Sequence, residues 1–275
     1  MMVCRRYTNR MQAKKSLGQN FLMHAKIAER IAIESGVGAD DVVLEIGPGT
    51  GMLTAPLLAR AKKVIAVEAD RELIPALAER FAGEIKGRRL ELINADIREF
   101  GPSALHDRYH LVANIPYYLT GEIIRTFLSA QAKPASVTIL VQKEVAERVA
   151  RDKKGSILSI AVRAFGEPSY LFTVPRGAFL PAPNIDSAVL HIKDIRSPFA
   201  SLQEEKAFFE VLRTGFAHKR KRLAKNLEDL LPPDSVLQAF TALSISPNAR
   251  AEELSIDTWK NLARALTDSA SSSQR

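Results

Sequence analysis

Between about residue 27 and residue 192 the chain repeats one pattern: a short run of β-branched and aliphatic residues, then a longer stretch with apolar residues at helical spacing. Parallel strands need a crossover of a dozen or more residues, usually a helix, so this alternation restricts the fold to an open α/β sheet. The runs expected to be strands are Val42 to Ile46, Val64 to Glu68, Leu90 to Asn94, Leu111 to Asn114, Val137 to Val141 and Ser187 to Ile192. Pro181, Pro183 and Pro198 interrupt the pattern after Phe179, and beyond about Gln203 only helical periodicity remains. The expected architecture is α/β, a doubly wound Rossmann-like sheet over residues 15–199, with a small all-helical C-terminal domain over 200–275 and a basic tail over 1–14. Residues 268–275 are polar and expected to fray.

Charge narrows the class of partner. The net charge is +8 and the pI about 9.6, which favours an anionic ligand because each phosphate neutralised by Lys or Arg releases counterions. The cations are also patchy: Arg5, Arg6, Arg10, Lys14 and Lys15 stand near the start with no acid among them. Lys219, Arg220, Lys221, Arg222 and Lys225 crowd one short segment, where Phe216, Leu223 and Leu227 recur at helical spacing and are expected to face a core. That segment is therefore expected to be a helix whose cations contact phosphates of an anionic partner. The single cysteine, Cys4, excludes an internal disulfide and a thiolate zinc cluster, and the five histidines lack metal-ligand spacing, so no metal is expected. No run approaches the roughly 18 apolar residues of a membrane span, and the opening residues lack a signal-like apolar run, so a cytoplasmic protein is expected.

The first strand runs directly into Gly47-Pro48-Gly49-Thr50-Gly51. A glycine-rich turn at the carboxyl end of a strand is where open α/β sheets bind ligands, and glycine lets a ligand approach the backbone closely. The spacing is not the G-x-G-x-x-G of dinucleotide enzymes, which counts against a nicotinamide dehydrogenase. The second strand ends in Glu68, suited to accept hydrogen bonds from a ribose diol. The third leads to Asp96 and Ile97, suited to accept from an adenine amino group and to pack on its ring. An exposed strand-end Glu and an ordinary loop acid would explain these two singly. Their order after strands one, two and three points to an adenosine-containing cofactor across the sheet edge.

The fourth strand ends in Asn114-Ile115-Pro116-Tyr117. An N-x-P-aromatic string arises by chance in roughly one chain of this length in twenty-five, so its position after the fourth strand is what gives it weight. Adenine's amino nitrogen is a poor nucleophile because its lone pair is delocalised into the ring. Two acceptors holding its hydrogens, Asn114 Oδ1 and the Ile115 carbonyl, would favour a tetrahedral nitrogen. Pro116 would stiffen the turn and Tyr117 would stack on an extruded base. The competing reading is a turn in which Asn114 caps a helix starting near Thr120.

These residues resemble the small-subunit ribosomal RNA adenine dimethyltransferase family from about Lys15 to Leu266. Five strings carry the likeness: 16–22 (SLGQNFL), 45–51 (EIGPGTG), 114–118 (NIPYY), 179–189 (FLPAPNIDSAV) and 216–222 (FAHKRKR). The basic string has His218-Lys219 where Gln-Arg is common, and Ile115 replaces a frequent Leu. The resemblance implies a class I methyltransferase domain, with S-adenosylmethionine as cofactor. Its implied substrates are two adjacent adenosines in the 3′-terminal hairpin of small-subunit (16S) rRNA, met within a 30S subunit or its precursor during ribosome biogenesis. By the matched motifs, cofactor contacts would fall on Asn20, Leu22, Gly47, Gly49, Glu68, Asp96, Ile97 and Asn114. Without the family, 16–22 reads as the start of a helix, with Phe21 and Leu22 in the core. A monomer is expected. Two rivals remain: an adenine methylase of the antibiotic-resistance type acting on large-subunit RNA, and a non-enzymatic RNA-binding assembly factor on the same fold. FLPAPNIDSAV and Asn248 to Leu254 favour the small-subunit family, and an intact Asn114 with its cofactor loop argues against pure binding.

Overall fold

The computed structural model describes Lys14, residues 18–102, Leu105, residues 108–152 and residues 154–272. Arg5, Arg6, Arg10 and Lys15 of the amino-terminal patch, and residues 16 and 17 of the SLGQNFL string, lie outside the described residues. The chain forms two compact units, one running to Ala150 and resuming over 166–195, the other comprising 151–165 and the chain from Arg196 onward.

The first unit holds nine strands: β1 (Phe21–Leu22), β2 (Val42–Ile46), β3 (Lys63–Glu68), β4 (Leu90–Asn94), β5 (Tyr109–Ala113), β6 (Ser136–Gln142), β7 (Glu167–Val174), β8 (Phe179–Leu180) and β9 (Ser187–Lys193). Seven of them form one sheet in the order β4-β3-β2-β5-β6-β9-β7. Neighbours from β4 through β6 are parallel, while β9 runs antiparallel to both β6 and β7. Successive strand residues face opposite sides of a sheet, and Val43 and Leu44 are both fully buried, so β2 is covered on both faces. The intervening helices are α1 (Ala25–Glu34), α2 (Thr54–Leu58), α3 (Ile74–Arg80), α4 (Ala82–Lys86), α5 (Ile97–Phe100), α6 (Thr120–Leu128) and α7 (Lys143–Ala150).

The chain enters the sheet at β2, builds outward to β4, then returns to the other side of β2 as β5. The strand order therefore reverses between β2 and β5, whose last residues, Ile46 and Ala113, are paired. A crevice opens at such a reversal, outside the carboxyl ends of the strands. Gly47 and Asn114 are the next residues of the two strands.

Two regions of this first unit differ from the sequence expectation. Residues 21 and 22 do not begin a helix; they pair antiparallel with Leu180 and Phe179, which joins two motifs far apart in sequence. The first helix waits until Ala25. Strand β7, which carries Pro168, was not expected. Proline is tolerated there because β7 is an edge strand.

The second unit contains α8 (Ile157–Phe165), α9 (Leu202–Gly215), α10 (Leu223–Leu227), α11 (Pro233–Ala242) and α12 (Ile256–Ser272). Helix α8 thus belongs with the C-terminal helices, whereas the expected boundary near residue 200 left it with the sheet. Phe165 stacks on Phe209 at 6.1 Å between centroids and meets Phe199 edge-on at 5.7 Å. Trp259 is fully buried and stacks on Phe216 at 5.6 Å. A Cβ at Gly215 would lie 2.5 Å from the Trp259 ring, so this position needs glycine for close packing. Helix α12 extends through Ser272, further than the frayed tail expected from residue 268.

The cationic string does not form the expected helix. Helix α9 stops at Gly215 and α10 starts at Leu223, leaving His218 to Arg222 in a turn. Phe216, Leu223 and Leu227 do pack inward, but from the ends of two helices rather than one face of one. Asn226, buried in α10, secures the turn by donating from Nδ2 to the Gly215 carbonyl at 2.6 Å and the His218 carbonyl at 3.2 Å.

Candidate active site

A cleft of about 1080 Å³, open mouth included, lies over the carboxyl ends of β2, β3, β4 and β5. The sequence-expected residues Asn20, Leu22, Gly47, Gly49, Glu68, Asp96, Ile97, Asn114, Ile115, Pro116 and Tyr117 all line it.

The floor is the glycine turn after β2. Gly47 has φ +70°, and a Cβ there would stand 3.4 Å from the Asn114 carbonyl oxygen. Gly49 has φ +57°, and a Cβ there would meet the Phe21 ring at 3.0 Å. A side chain at either position would be strained by the positive φ, and at Gly49 it would also crowd the Phe21 ring.

Glu68 closes β3 and is buried rather than exposed. Its Oε2 accepts the Gly49 N–H at 3.0 Å and its Oε1 accepts the Asp70 N–H at 2.9 Å. Burial pushes its carboxyl above the usual range, and those backbone donors oppose the shift in part. Each carboxylate oxygen accepts more than one hydrogen bond, so Glu68 keeps acceptor capacity for a ligand hydroxyl.

Asp96 caps α5 by accepting the Arg98 N–H at 2.9 Å. Its side chain is also gripped by the Arg98 guanidinium, through Nε at 3.0 Å and Nη2 at 2.5 Å. Arg98 holds the Asp96 carboxyl below its ordinary range, so it is ionised at neutral pH. The sequence reading did not foresee this partner, and Asp96 faces a ligand as one half of an ion pair. Ile97 is buried in the adjoining wall.

Asn114 stands beside Gly47 on the far side of the strand reversal. Its Nδ2 donates to the Asn20 carbonyl at 3.3 Å, and among the described residues its Oδ1 takes no hydrogen bond. The Ile115 carbonyl is likewise without a donor among the described residues. The Ile115 side chain is buried, and Pro116 has φ −55° ahead of a single helical turn over Tyr117–Leu119. The Tyr117 hydroxyl is 2.6 Å from Ser187 Oγ, at the start of β9, which fixes the ring; burial raises its pKa. Tyr118 is the exposed aromatic of the pair, at 66%. The competing reading of Asn114 as a helix cap fails, since α6 starts at Thr120 with Leu119 at its cap.

Sequence reasoning missed Phe21, Tyr118 and Phe179 in the cleft wall, and Asp70 beneath it. Phe21 and Phe179 lie in the two short segments that pair as β1 and β8, a pairing too short to leave a periodic signal. Asp70 carries no local signal, because its partners come from far away in sequence.

In the second unit Lys219, Arg220, Lys221, Arg222 and Lys225 are all exposed. Lys225 is not a free cation, since its ammonium pairs with Glu228. Among the described residues no group of three His, Cys, Asp or Glu is placed to hold a metal, and no helix is long and apolar enough to cross a membrane.

Comparison with known proteins agrees with this geometry. The family model described as ribosomal RNA adenine dimethylase matches residues 10–268. A protein of Dehalococcoides mccartyi named ribosomal RNA small subunit methyltransferase A is 38% identical over 94% of this chain and 90% of its own. A Bacillus cereus protein of the same name is 37% identical over 92% of this chain and 91% of its own. Among solved structures, the 23S rRNA methyltransferase ErmE superposes with a TM-score of 0.71 at 26% identity, over 90% of this chain and all of its own. A dimethyladenosine transferase from Plasmodium falciparum gives 0.77 at 24% identity over 91% of this chain and 98% of its own, which confirms the class I methyltransferase fold. A family model spanning nearly the whole chain, together with relatives near 40% identity, settles the family: this chain belongs to the ribosomal RNA adenine dimethylases.

Proposed function

We propose that this protein transfers methyl groups from S-adenosylmethionine to the N6 atoms of two adjacent adenosines in the 3′-terminal hairpin of small-subunit rRNA. It would act as a monomer on a 30S subunit or precursor particle, as a soluble cytoplasmic protein. The observation that carries the reading is the pair of open acceptors, Asn114 Oδ1 and the Ile115 carbonyl, beside the glycine turn at the strand reversal. Membership of the family and the 37–38% identity to proteins named ribosomal RNA small subunit methyltransferase A support the choice of substrate.

The cleft residues fit the cofactor. The close backbone approach at Gly47 and Gly49 leaves room for an amino acid moiety. Glu68 suits a ribose diol, and Asp96 with Ile97 suits an adenine edge and face. Asn20, Leu22 and Asn114 complete the wall. When bound, S-adenosylmethionine supplies an electrophilic methyl group. The protein's part is to hold the acceptor nitrogen. Asn114 Oδ1 and the Ile115 carbonyl each take one N6 hydrogen and so favour a nitrogen with an available lone pair. Tyr117, fixed by Ser187, offers a face for the extruded base. An amide side chain is no base near neutrality, so the contribution is positioning and electrostatic preorganisation rather than proton abstraction.

The exposed cations Lys219, Arg220, Lys221 and Arg222 supply a phosphate-binding turn, which Asn226 and the Phe216–Trp259 stack hold in shape. Lys225, paired with Glu228, contributes less. The test is nucleoside mass analysis after incubation with undermethylated small-subunit particles and the methyl donor. N6,N6-dimethyladenosine at two adjacent positions is expected. Methylation of large-subunit RNA alone, or binding to particles without methylation, would overturn the reading.

A further inference from the structure

Beneath the cleft lies a polar cluster that the reaction as described does not use. The Asp70 side chain is only 3% exposed, yet it is reached by Lys14, whose Nζ lies 2.8 Å from Oδ1. Gln19 Nε2 donates to the other oxygen, Oδ2, at 3.0 Å. Gln19 Oε1 in turn accepts the backbone N–H of Lys14 at 2.8 Å, so the three residues close a ring. Lys14 Nζ also pairs with Glu72 at 3.0 Å. On its other side, Asp70 donates its own backbone N–H to Glu68, the residue suited to the ribose.

Gln19 belongs to a short stretch of cleft wall, residues 18–22, that touches the Asn114 loop and the glycine turn. The Asn20 carbonyl holds the amide of Asn114, and the Phe21 ring covers Gly49. The Cβ position of Gly18 is 3.2 Å from both Pro116 and Tyr118. Among the described residues, residues 21 and 22 are otherwise held to the sheet unit by the two-residue pairing with β8, by the Met23 N–H donated to the Ala178 carbonyl at 2.8 Å and by apolar packing. A strand of two residues is a weak tether, so a buried carboxylate with two side-chain partners is a substantial part of what keeps this wall closed.

We propose that Asp70 is a positioning residue: bound to Lys14 and Gln19, it latches the wall formed by residues 18–22 over the cofactor and sets how long the cofactor stays. The proposal rests on the reading that this cleft binds S-adenosylmethionine. Opening the latch breaks the Lys14–Asp70 ion pair, which is one-third exposed on the lysine side, so the latch is salt-sensitive where the apolar part of the wall is not.

The test is the rate at which labelled S-adenosylmethionine leaves the full-length protein in a dilution chase, at low and high salt. In the parent, release accelerates as salt rises. Lys14→Ala speeds release by about tenfold at low salt, as loss of a hydrogen bond to a charged group implies, and removes the salt dependence. Lys14→Arg restores both. Gln19→Leu, which keeps the lysine, gives a smaller acceleration and retains the salt dependence. Unfolding midpoints equal to the parent's establish that each variant is folded. Because Lys14 and Gln19 lie at the cleft's edge, these variants keep the buried Asp70 intact and avoid the risk of its replacement. Release from Lys14→Ala at the parental rate and with parental salt dependence would overturn the latch. Failure of the parent to bind S-adenosylmethionine at all would instead count against the reading of the cleft.

Discussion

Glu45, in the middle of the glycine motif's strand, offers a test of the electrostatics around the site. It is buried in β2, and neither carboxyl oxygen has a hydrogen-bond partner among the described residues. Burial pushes its pKa up from 4.5 to about 8, with the Glu68 carboxylate adding to the effect; the nearby Thr54 hydroxyl counters only in part, since it makes no hydrogen bond of acceptable geometry. Between about pH 4.5 and pH 8 the folded protein therefore holds a proton that the unfolded chain has already released. The folded state binds more protons over that window, so stability falls as pH rises through it. At pH 7 the cost is on the order of 3 kcal/mol relative to a side chain of the same shape that cannot ionise. Glu45→Gln is such a side chain, and its unpaired amide returns part of the gain, leaving about 1 to 3 kcal/mol. For a chain of this size that corresponds to a rise of a few to about ten degrees in Tm at pH 7. The gain should shrink to nothing below about pH 4.5 and grow towards pH 8. Thermal unfolding followed by circular dichroism at several pH values between 5 and 8.5 measures it. A variant destabilised by the same amount at every pH would show that Glu45 is ionised and paired, and would refute the reasoning.

Two further perturbations address the cofactor and the RNA. Glu68→Ala should weaken S-adenosylmethionine binding by roughly 10-fold to 150-fold, the value of a hydrogen bond to a charged group, and calorimetric titration of the folded variant reads it directly; unchanged affinity removes Glu68 from the site. Reversing Arg220 and Arg222 to Glu should flatten the dependence of log affinity for small-subunit particles on log salt by at least about 1.4 to 1.8 in slope, while cofactor affinity stays put. A parental slope would show that the phosphates are held elsewhere.

Most of the sheet was legible because its strands are buried on both faces and read as uninterrupted aliphatic runs, Val42 to Ile46 above all. Glu68, Gly47, Gly49, Asp96 and Asn114 were legible for a related reason: each closes or follows a strand end, and strand ends in an open α/β sheet converge, whereas Asn20 and Leu22 came only from the family resemblance. What stayed hidden depends on distant partners. The pairing of Phe21 with Leu180 leaves no periodicity in a two-residue strand. Asp70 acquires its role from Lys14, fifty-six residues earlier, and the Asp96–Arg98 pair looks from the sequence like any charged turn. The cationic string was misread for a more instructive reason. Apolar residues spaced as 216, 223 and 227 satisfy helical periodicity, but the intervening segment is a turn between two helix ends that pack into the same core. Periodicity reports which residues point inward, and it cannot distinguish one helix from two when both ends are buried.

The central claim is that Asn114 acts on the acceptor nitrogen rather than on the fold, and Asn114→Ala tests it most directly. Single-turnover methylation of small-subunit particles, with enzyme in excess and the cofactor saturating, isolates the chemical step from binding. The account predicts a fall on the order of 10²-fold to 10³-fold in that rate, as for the loss of one preorganised polar group, with an unchanged unfolding midpoint. A single-turnover rate within a few-fold of the parent's would contradict it.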